Sequence, residues 1–445
     1  MGMSSILIKQ ATMVNEGVQA VVDVLIEQGR IAKIAPQINQ AAAQVIDAAG
    51  LHLLPGMIDD QVHFREPGLV SKGDIASESR AALAGGTTSY MEMPNVNPPT
   101  ISLAALEAKY ALGAQKSWVN YSFYLGATND NVDEVRRVNP RDVCGVKIFM
   151  GSSTGNMLVD HEAALRAIFS ESPILIATHC EDTPMIKAQE ALYRQRYGDD
   201  VPMSAHPDIR CREACYKSSS MAVALAKETG ARLHVLHITT AEELALFEPG
   251  PVENKRITAE ACVHHLWFSD ADYERLGSLI KCNPAVKAQS DRDAIRQAVI
   301  DGRIDVIATD HAPHTWEEKQ QSYFAAPSGL PQVQQSLTAL LDLVHQGVFS
   351  LETVVDRFSH NVARLYQVED RGFIREGYWA DLVLVDMQRP HLDDRAHNLY
   401  KCQWSPWEGH TFKSSVVKTL VNGRVMYDEG RFAEFVPGQR LLFSR

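Results

Sequence analysis

Cysteine is scarce in this sequence, with seven residues in a chain of 445. Cys211 and Cys215 are four residues apart, but the other five are scattered, and no second close pair completes a zinc-ribbon pattern. A sparse, odd set of this kind is typical of buried free thiols in a reducing compartment, which predicts a cytoplasmic protein. Cysteine is therefore not expected to be a metal ligand.

Basic residues and long apolar segments are also lacking. The chain has 43 Lys and Arg against 55 Asp and Glu, a formal net charge of −12 at pH 7. This field would repel nucleic acid and an acidic membrane surface, so we expect neither partner. No apolar run approaches the roughly 18 residues of a membrane span, and residues 1–6 fit neither a signal peptide nor a myristoylation site. A small anionic substrate is still compatible, because charges are screened over roughly 8 Å.

What the sequence does contain is an ordinary globular composition, 45% hydrophobic and 22% charged, which excludes a largely disordered chain. Both ends are predicted to be rich in strands. The short apolar runs are residues 6–8, 21–26, 31–34, 380–385, 416–421 and 425–427. Asn422-Gly423 is a strong hairpin signal between the last two. We expect residues 1–55 and 366–445 to pair into one small β-sandwich domain, which would protect their edges.

The middle of the chain, residues 56–365, alternates apolar runs with amphipathic stretches. Strands are predicted at residues 89–93, 143–149, 174–178, 233–238 and 306–309. Helices are predicted at 74–84, closed by Gly85-Gly86, and at 218–229, closed by Gly230. Repeated strand–helix units indicate a parallel sheet in an α/β fold. At least seven in succession favour a closed (β/α)8 barrel of the TIM type over an open sheet.

Polar residues lie at the ends of these runs, or inside the run in the case of Lys147, and a parallel barrel places its chemistry at the C-terminal ends of its strands. They are Gln61, His63, Lys147, His179, His237 and Asp310. Each alone has a simpler explanation: a hydrogen-bonded core histidine, a lysine that reaches water, or an aspartate that caps a turn. Their shared position at the same end of different strands favours a common site.

Three imidazoles, a carboxylate and a lysine suit Zn²⁺ or a similar divalent ion. Such an ion lowers the pKa of a bound water from about 16 to roughly 7, which enables hydrolysis. Asp310 is placed to take the proton and pass it to a leaving nitrogen. A protonated Lys147 would be repelled by the cation. Either Lys147 points away, or its neutral amine has captured CO₂ as a carbamate.

These motifs resemble the amidohydrolase superfamily, and within it the cyclic amidases, most closely the dihydroorotase family. Members carry His-x-His followed by Arg-Glu-Pro-Gly, and residues 61–68 read Gln-Val-His-Phe-Arg-Glu-Pro-Gly. Further matches occur in family order: Met-Pro-Asn at 93–95, Thr-His-Cys-Glu-Asp at 178–182, Thr-Ala-Glu at 258–260 before His-His at 264–265, Lys-Cys-Asn-Pro at 281–284 and Thr-Asp-His-Ala-Pro-His at 309–314. The resemblance covers nearly the whole chain.

The resemblance implies a dihydroorotase activity, the reversible interconversion of N-carbamoyl-L-aspartate and L-dihydroorotate in pyrimidine biosynthesis, with one or two Zn²⁺ ions. It implies His63, His179 and His237 as metal ligands, and Asp310 as both ligand and catalytic acid/base. Lys147 corresponds to the lysine that hydantoinases and one class of dihydroorotase carboxylate.

The resemblance also implies a binding site for the substrate carboxylate. Arg65 and Asn95 would bind it, with Asn283 and His314 nearby. Arg65 lies two residues beyond His63, and its guanidinium can hold a carboxylate through two hydrogen bonds. The alternative for Arg65 is a surface salt bridge with Glu66.

Gln61 departs from the family, which has a histidine ligand at this position. A glutamine oxygen is a weaker ligand for zinc than imidazole. Three outcomes follow: Gln61 ligates weakly, the ion keeps three protein ligands and water, or the more buried ion is absent. A single remaining ion would lie with His179, His237 and the Lys147 carbamate.

Two further functions stay open. The first is a catalytically impaired dihydroorotase-like subunit that stabilises a partner such as aspartate carbamoyltransferase, for which Gln61 is the only support. The second is another cyclic amidase, of the hydantoinase or allantoinase type, in which Arg65 would have no ring carboxylate to bind. We expect a homo-oligomer. Residues 315–329 are interpreted as a loop over the mouth of the barrel, either closing on substrate or simply connecting. Packing roles around the site are assigned to His234, His264, His265 and His311.

Overall fold

The computed structural model describes residues 5–151 and 157–445. The chain begins with five strands, which are β1 (Ile6–Asn15), β2 (Val18–Glu27), β3 (Arg30–Ala35), β4 (Gln44–Asp47) and β5 (His52–Pro55). β1, β2 and β3 pair antiparallel in sequence order, whereas β4 and β5 pair parallel to β1. Gln28 and Gly29 form the turn before β3 with positive φ angles of 51° and 83°. The predicted strand-rich start of the chain is confirmed.

The middle of the chain supplies parallel strands. They are β6 (Met57–Val62), β7 (Thr87–Glu92), β8 (Asn120–Phe123), β9 (Leu125–Gly126), β10 (Val146–Phe149), β11 (Ile176–His179), β12 (Leu233–Val235), β13 (Ile257–Cys262) and β14 (Val306–Ala308). β6 to β8 form one sheet and β9 to β14 another, each in sequence order. Only Tyr124 separates β8 from β9, and Val62 at the end of β6 forms a parallel bridge to His311, just beyond β14. The α/β fold and its parallel pairing are confirmed.

Helices connect these strands. They are α1 (Ile75–Ala84), α2 (Leu103–Lys116), α3 (Val132–Arg136), α4 (Glu162–Glu171), α5 (Thr183–Tyr197), α6 (His206–Ile209), α7 (Arg212–Thr229), α8 (Val263–Trp267), α9 (Tyr273–Leu276), α10 (Gln289–Asp301), α11 (Trp316–Lys319), α12 (Ser336–His345), α13 (Leu351–Val355) and α14 (Asn361–Tyr366). Within the described ranges, no helix combines the length and the apolar character needed to cross a bilayer.

The boundaries of α1 follow from its capping residues. The Asp74 side chain accepts a hydrogen bond from the backbone of Ser77, and Gly85 ends the helix, as predicted. The predicted start of α7 is wrong, because the helix begins at Arg212 rather than at residue 218. Ser218 has a low helix propensity and obscured the earlier turns, but its side chain is buried within the helix.

Several predicted strands are longer than the observed ones. β10 begins at Val146 rather than at residue 143, and β12 ends at Val235 rather than at 238. Val143 and Cys144 are buried, but they precede the strand that pairs with its neighbours. Apolar character indicates burial, which extends beyond the hydrogen-bonded ladder at both of these strands.

The chain ends in six further strands. They are β15 (Leu382–Asp386), β16 (His391–Leu392), β17 (Thr411–Phe412), β18 (Ser415–Val421), β19 (Arg424–Asp428) and β20 (Arg431–Phe432). β5 pairs antiparallel with β15, so strands from both ends of the chain share one nine-stranded sheet. The predicted hairpin is confirmed, with Asn422 and Gly423 at φ angles of 50° and 74°. The β-sandwich form and the boundaries at 55 and 366 stay predictions.

A buried polar network ties the terminal sheet to the parallel strands. The Arg371 guanidinium pairs with the Asp381 carboxylate and donates to Asn422 Oδ1 at 2.8 Å. Asp381 also accepts from the side chain of Asn120, in β8, at 3.1 Å and from the backbone of Asn422 at 2.7 Å. Each charge in this network therefore depends on the others for its solvation.

We predict that Arg371→Ala destabilises the protein by about 3–5 kcal/mol, because it leaves Asp381 buried without its cation. Urea unfolding followed by circular dichroism measures this change. Arg389→Ala is the matched control, since Arg389 pairs with Glu429 at a half-exposed position and should cost less than about 1 kcal/mol. Equal losses in the two variants would contradict the account of the network.

Candidate metal centre

The polar residues predicted at the strand ends lie around one cleft. His63 follows β6, Lys147 lies within β10, and His179 ends β11. His237 and Asp310 come two residues after β12 and β14. The cleft has a cavity volume of about 50 Å³ and is lined by Gln61, His63, Arg65, Asn95, Lys147, Phe149, His179, His237, Asn283, Asp310, Ala312, Ser328 and Gly329. Nine of the ten residues predicted for the site are in this lining, and only His314 is not.

Three of the lining residues have left-handed backbone angles. Arg65, His237 and Asp310 have φ values of 72°, 40° and 49°. Side chains other than glycine rarely adopt this region, and each instance costs on the order of 1–3 kcal/mol. Such strain is concentrated at functional sites, where the rest of the fold holds a side chain in place.

His63 and Asp310 form the first of two close pairs in the cleft. The Nδ1 atom of His63 lies 2.8 Å from Asn95 Oδ1, an acceptor, so this nitrogen carries the proton. Nε2 then presents a lone pair to Asp310 Oδ1 at 3.0 Å. Burial lowers the pKa of His63, which keeps the ring neutral. Two acceptors that face each other at this distance are matched by a cation that binds both.

His179 and His237 form the second pair. Nε2 of His179 lies 3.0 Å from Glu181 Oε2, and Nδ1 lies 3.0 Å from His237 Nε2. Burial lowers the pKa of His179 and, together with the charge of neighbouring His179, holds the pKa of His237 well below its ordinary value. A carboxylate behind an imidazole is the usual support of a metal-binding histidine. The pair therefore fits a divalent ion through Nδ1 of His179 and Nε2 of His237.

Lys147 lies in the same cleft with a buried amine. Its Nζ atom has no hydrogen-bond partner among the described residues and lies 4.7 Å from the centre of the Phe149 ring. Burial lowers the pKa of Lys147 to about 8, against the opposing charge of Asp310. A minor neutral fraction is thus available near neutral pH, and the neutral amine is the form that reacts with CO₂.

Gln61 contacts Asp310 rather than standing apart from it. The Nε2 atom of Gln61 donates to Asp310 Oδ1 at 3.1 Å, and its Oε1 atom lies 3.8 Å from Cys262 Sγ. The reverse orientation of the amide would place its oxygen against the carboxylate. Gln61 therefore acts as a hydrogen-bond donor to Asp310. The sequence analysis considered Gln61 only as a replacement for a histidine ligand and did not predict this role.

Arg65 provides the fixed positive charge of the cleft. Its Nε donates to the carbonyl of Pro313 at 3.0 Å, and Nη2 lies 3.0 Å from His314 Nε2. Burial lowers the pKa of Arg65 to about 10, so the side chain stays protonated at neutral pH. The alternative of a surface salt bridge with Glu66 is wrong, because Arg65 is only 4% exposed and Glu66 pairs with Lys116 instead. His314 packs behind Arg65 and positions it.

The two asparagines predicted for substrate binding both line the cleft. Asn95 contacts His63 through its Oδ1 atom. Asn283 carries a buried Oδ1 with no hydrogen-bond partner among the described residues. A buried amide oxygen without a donor is costly, which suits a position that receives a ligand N–H group.

The predicted loop over the mouth, residues 315–329, is held down by two buried lysines that the sequence analysis missed. Lys281 Nζ donates to the carbonyls of Tyr323 and Ala326, both at 2.6 Å. Lys319 Nζ donates to three backbone carbonyls at 2.8–3.2 Å, two in this loop and one on Lys281. Lysine is rarely buried unless it is paired. A lysine in the sequence therefore predicts an exposed side chain and not this role.

Comparison with known proteins identifies the family of the chain. The sequence matches the profile of the Amidohydrolase family over residues 52–426. It is 36% identical to a dihydroorotase of Halobacterium salinarum over 398 residues, 88% of this chain and 90% of that protein. It is 32% identical to an allantoinase of Rubrobacter xylanophilus, over 96% of this chain and 95% of that one.

Solved structures give the same result. The L-hydantoinase of Arthrobacter aurescens superposes with a TM-score of 0.93 at 26% sequence identity, covering 99% of this chain and all of that one. The dihydropyrimidinase of Brevibacillus agri superposes with a TM-score of 0.88, which shows the shared fold. The relatives act on different cyclic amides by name, so they define a family and not a substrate. The chain belongs to the amidohydrolase family.

Proposed function

We propose that the protein is a metal-dependent cyclic amidase whose substrate carries a carboxylate on its ring, and that this substrate is L-dihydroorotate, interconverted with N-carbamoyl-L-aspartate in pyrimidine biosynthesis. The observation that carries the proposal is Arg65, a buried cation in the lining of the cleft. A guanidinium held by Pro313 and His314 is ready to bind a carboxylate without rearrangement. Asn95 lies in the same lining. Hydantoins need no carboxylate, and a buried cation would then lack a partner.

The metal site is the second part of the proposal. His179, His237 and Lys147, the last as an N6-carboxylated side chain, would hold one Zn²⁺ ion, with His63 and Asp310 beside it. When bound, the ion supplies Lewis-acid activation of water and of the ring carbonyl. Gln61 is engaged as a donor to Asp310, so we propose one ion in the cleft and not two. We also propose that strands β6 to β14, with β8 and β9 counted as one, close into an eight-stranded barrel through the Val62–His311 bridge.

The chain's own residues then account for binding and proton transfer. Arg65 and Asn95 orient the ring by its carboxylate, and Asn283 offers its unpartnered oxygen to a ring N–H. In the hydrolytic direction, oxygen from water bonds to the ring carbonyl carbon and the C–N bond breaks. Asp310 takes a proton from water and delivers it to the leaving nitrogen, while the new carboxylic acid releases its own proton to solvent. Cyclisation runs through the same steps in reverse.

Arg65→Ala tests the proposed substrate class. We expect kcat/KM for dihydroorotate to fall by about 30- to 150-fold, because a charge-assisted bidentate contact contributes about 2–3 kcal/mol. Bound metal should be unchanged. The wild-type protein is assayed in parallel with dihydroorotate, allantoin and unsubstituted hydantoin.

Arg389→Ala is the control for that assay, since Arg389 is half exposed and absent from the cleft lining. The wild type could instead prefer allantoin or hydantoin, with kcat/KM unchanged in Arg65→Ala. That result would make one of those rings, and not dihydroorotate, the proposed substrate. If none of the rings is turned over, with or without added Zn²⁺, the protein would instead be the catalytically impaired subunit. The Gln61–Asp310 contact is the observation that supports that function.

Gln61→His tests the proposed number of ions in the cleft. An imidazole at position 61 restores a zinc ligand beside His63 and removes the amide donor to Asp310. We expect one additional Zn²⁺ per chain relative to the wild type, measured by inductively coupled plasma mass spectrometry. Gln61→Asn serves as the control without a new imidazole. An unchanged metal content in Gln61→His would mean that Gln61 does not determine the ion count.

The remaining expectations concern the setting of the enzyme. We propose a cytoplasmic homo-oligomer, and an association with aspartate carbamoyltransferase has only the family resemblance behind it. Sedimentation velocity of the purified protein measures the oligomeric state.

A further inference from the structure

A second group of potential ligands lies inside the strand array, apart from the cleft. Asp60 in β6, His234 in β12 and Glu260 in β13 place one ligand atom each within 4.8 Å of the others. All three residues are fully buried. Asp60 precedes Gln61, and His234 precedes His237, so the group lies further from the C-terminal strand ends than the cleft does. The sequence analysis had interpreted His234 only as a packing residue.

Hydrogen bonds to surrounding groups fix the orientation of each residue. The Thr258 hydroxyl donates to the carbonyl of Leu233 at 3.2 Å, so its oxygen accepts from His234 Nδ1–H at 2.8 Å. The proton of a neutral His234 is therefore on Nδ1, and Nε2 presents a lone pair to the carboxylates. Asp60 Oδ2 accepts from the hydroxyl of Tyr366 at 2.9 Å.

Glu260 is supported in the same way. Its Oε1 atom accepts from the backbone N–H of His237 at 2.9 Å and lies 3.4 Å from Cys262 Sγ. Oε2 faces the group and has no hydrogen-bond partner among the described residues. Asp60 differs, because the oxygen that faces His234 is the same Oδ2 that accepts from Tyr366. His234 and Glu260 thus have partners behind and free ligand atoms in front, which is the arrangement of a supported metal site.

The separations of the ligand atoms match a small divalent ion. His234 Nε2 lies 3.3 Å from Asp60 Oδ2 and 3.7 Å from Glu260 Oε2. A tetrahedral ion with bonds of about 2.0–2.1 Å separates its ligand atoms by about 3.3–3.4 Å. Two carboxylates and a neutral imidazole carry a charge that one divalent cation neutralises.

We propose that Asp60, His234 and Glu260 bind a structural Zn²⁺ ion that links β6, β12 and β13 inside the protein. This ion is additional to the one in the cleft, and it does not depend on the substrate. A third group, Cys262, His264 and His265, fits less well. Gln332 Nε2 donates to Nδ1 of His264 at 2.6 Å, which leaves the proton of that neutral ring on Nε2 and removes its free lone pair.

The test separates the interior site from the cleft. The cleft variant combines Lys147→Ala, His179→Asn and His237→Asn, and it is expressed with zinc in the medium because a buried site fills during folding. After desalting, it should retain one Zn²⁺ per chain by inductively coupled plasma mass spectrometry. Zinc-edge X-ray absorption should show only nitrogen and oxygen neighbours. Adding Glu260→Gln to the cleft variant should reduce the metal to below a tenth of an ion per chain.

Three results would overturn the proposal. A cleft variant that folds, by near-UV circular dichroism, but holds no zinc would mean that a proton on His234 alone balances the two carboxylates. A sulfur neighbour in the absorption spectrum would assign the ion to Cys262. Full retention of zinc after Glu260→Gln would exclude this ligand set. If the cleft variant does not fold, the wild type carrying His234→Asn is compared with the wild type, and an equal zinc content contradicts the site.

Discussion

Replacing Lys147 with Ala is expected to remove one metal ion per chain and to lower kcat at least about 10³-fold, because a catalytic metal supplies several kcal/mol of transition-state stabilisation. Lys147 is almost fully buried in the cleft, with an amine that lacks a hydrogen-bond partner among the described residues. Burial lowers its pKa to about 8, so the neutral amine is populated and can capture CO₂. The resulting carbamate would provide the anionic ligand that neutral imidazoles cannot.

The experiment combines steady-state kinetics, metal analysis and native mass spectrometry of the intact chain. The wild type should be heavier than its sequence by one CO₂, and Lys147→Ala should show no such increment. Lys187→Ala is the matched control, since Lys187 is exposed on α5 and remote from the cleft lining. A bare lysine in an active, metal-containing wild type would disprove the carbamate. Full activity in Lys147→Ala would disprove its role altogether.

Asp310→Asn is expected to lower kcat by about 10²- to 10⁴-fold, the usual contribution of a positioned acid/base. Asn keeps the size of the side chain and one oxygen, but it cannot take a proton from water or pass one to the leaving nitrogen. Asp310 accepts from Gln61 and faces His63 through the same oxygen, Oδ1, so the other oxygen is available for proton transfer. KM should change far less than kcat, because Arg65 and Asn95 bind the substrate.

Steady-state kinetics over a range of pH measures this split, with metal content determined on the same samples. Asp133→Asn is the control, because Asp133 is exposed at the surface and outside the cleft lining. Activity above a tenth of the wild-type value, with metal retained, would remove Asp310 from the mechanism. A loss of metal equal to the loss of activity would instead make Asp310 chiefly a ligand.

The convergence of the cleft residues could be predicted from sequence because it depends on a periodic property. Apolar runs give the parallel strands, and polar residues that follow such runs must meet at one end of the array. The sequence pattern predicts Gln61, Lys147 and Asp310 at a common site, and all three line the cleft. Chain order alone was sufficient for that result.

Contacts that depend on side-chain orientation could not be predicted. The donor role of Gln61 towards Asp310 follows from which way an amide faces, and the place of His314 behind Arg65 follows from the path of a loop. Lys319 is fully buried and donates to three carbonyls, yet a charged residue in sequence indicates a solvated surface. These features come from tertiary packing.

The interior group of Asp60, His234 and Glu260 shows a third limit. These residues lie inside three different strands, β6, β12 and β13. The sequence does not indicate which residue a polar side chain inside a strand will contact. His234 therefore could not be distinguished from an ordinary core histidine. Only the register of the strands brings the three ligand atoms together.

The account depends on a divalent ion held by side chains from separate strands, and anomalous X-ray diffraction across the zinc absorption edge tests this most directly. Crystals of protein purified without chelators should show an anomalous peak in the cleft, bounded by His179, His237 and a carboxylated Lys147. A cleft that contains water alone and an unmodified Lys147, in crystals of protein that turns over dihydroorotate, would contradict it.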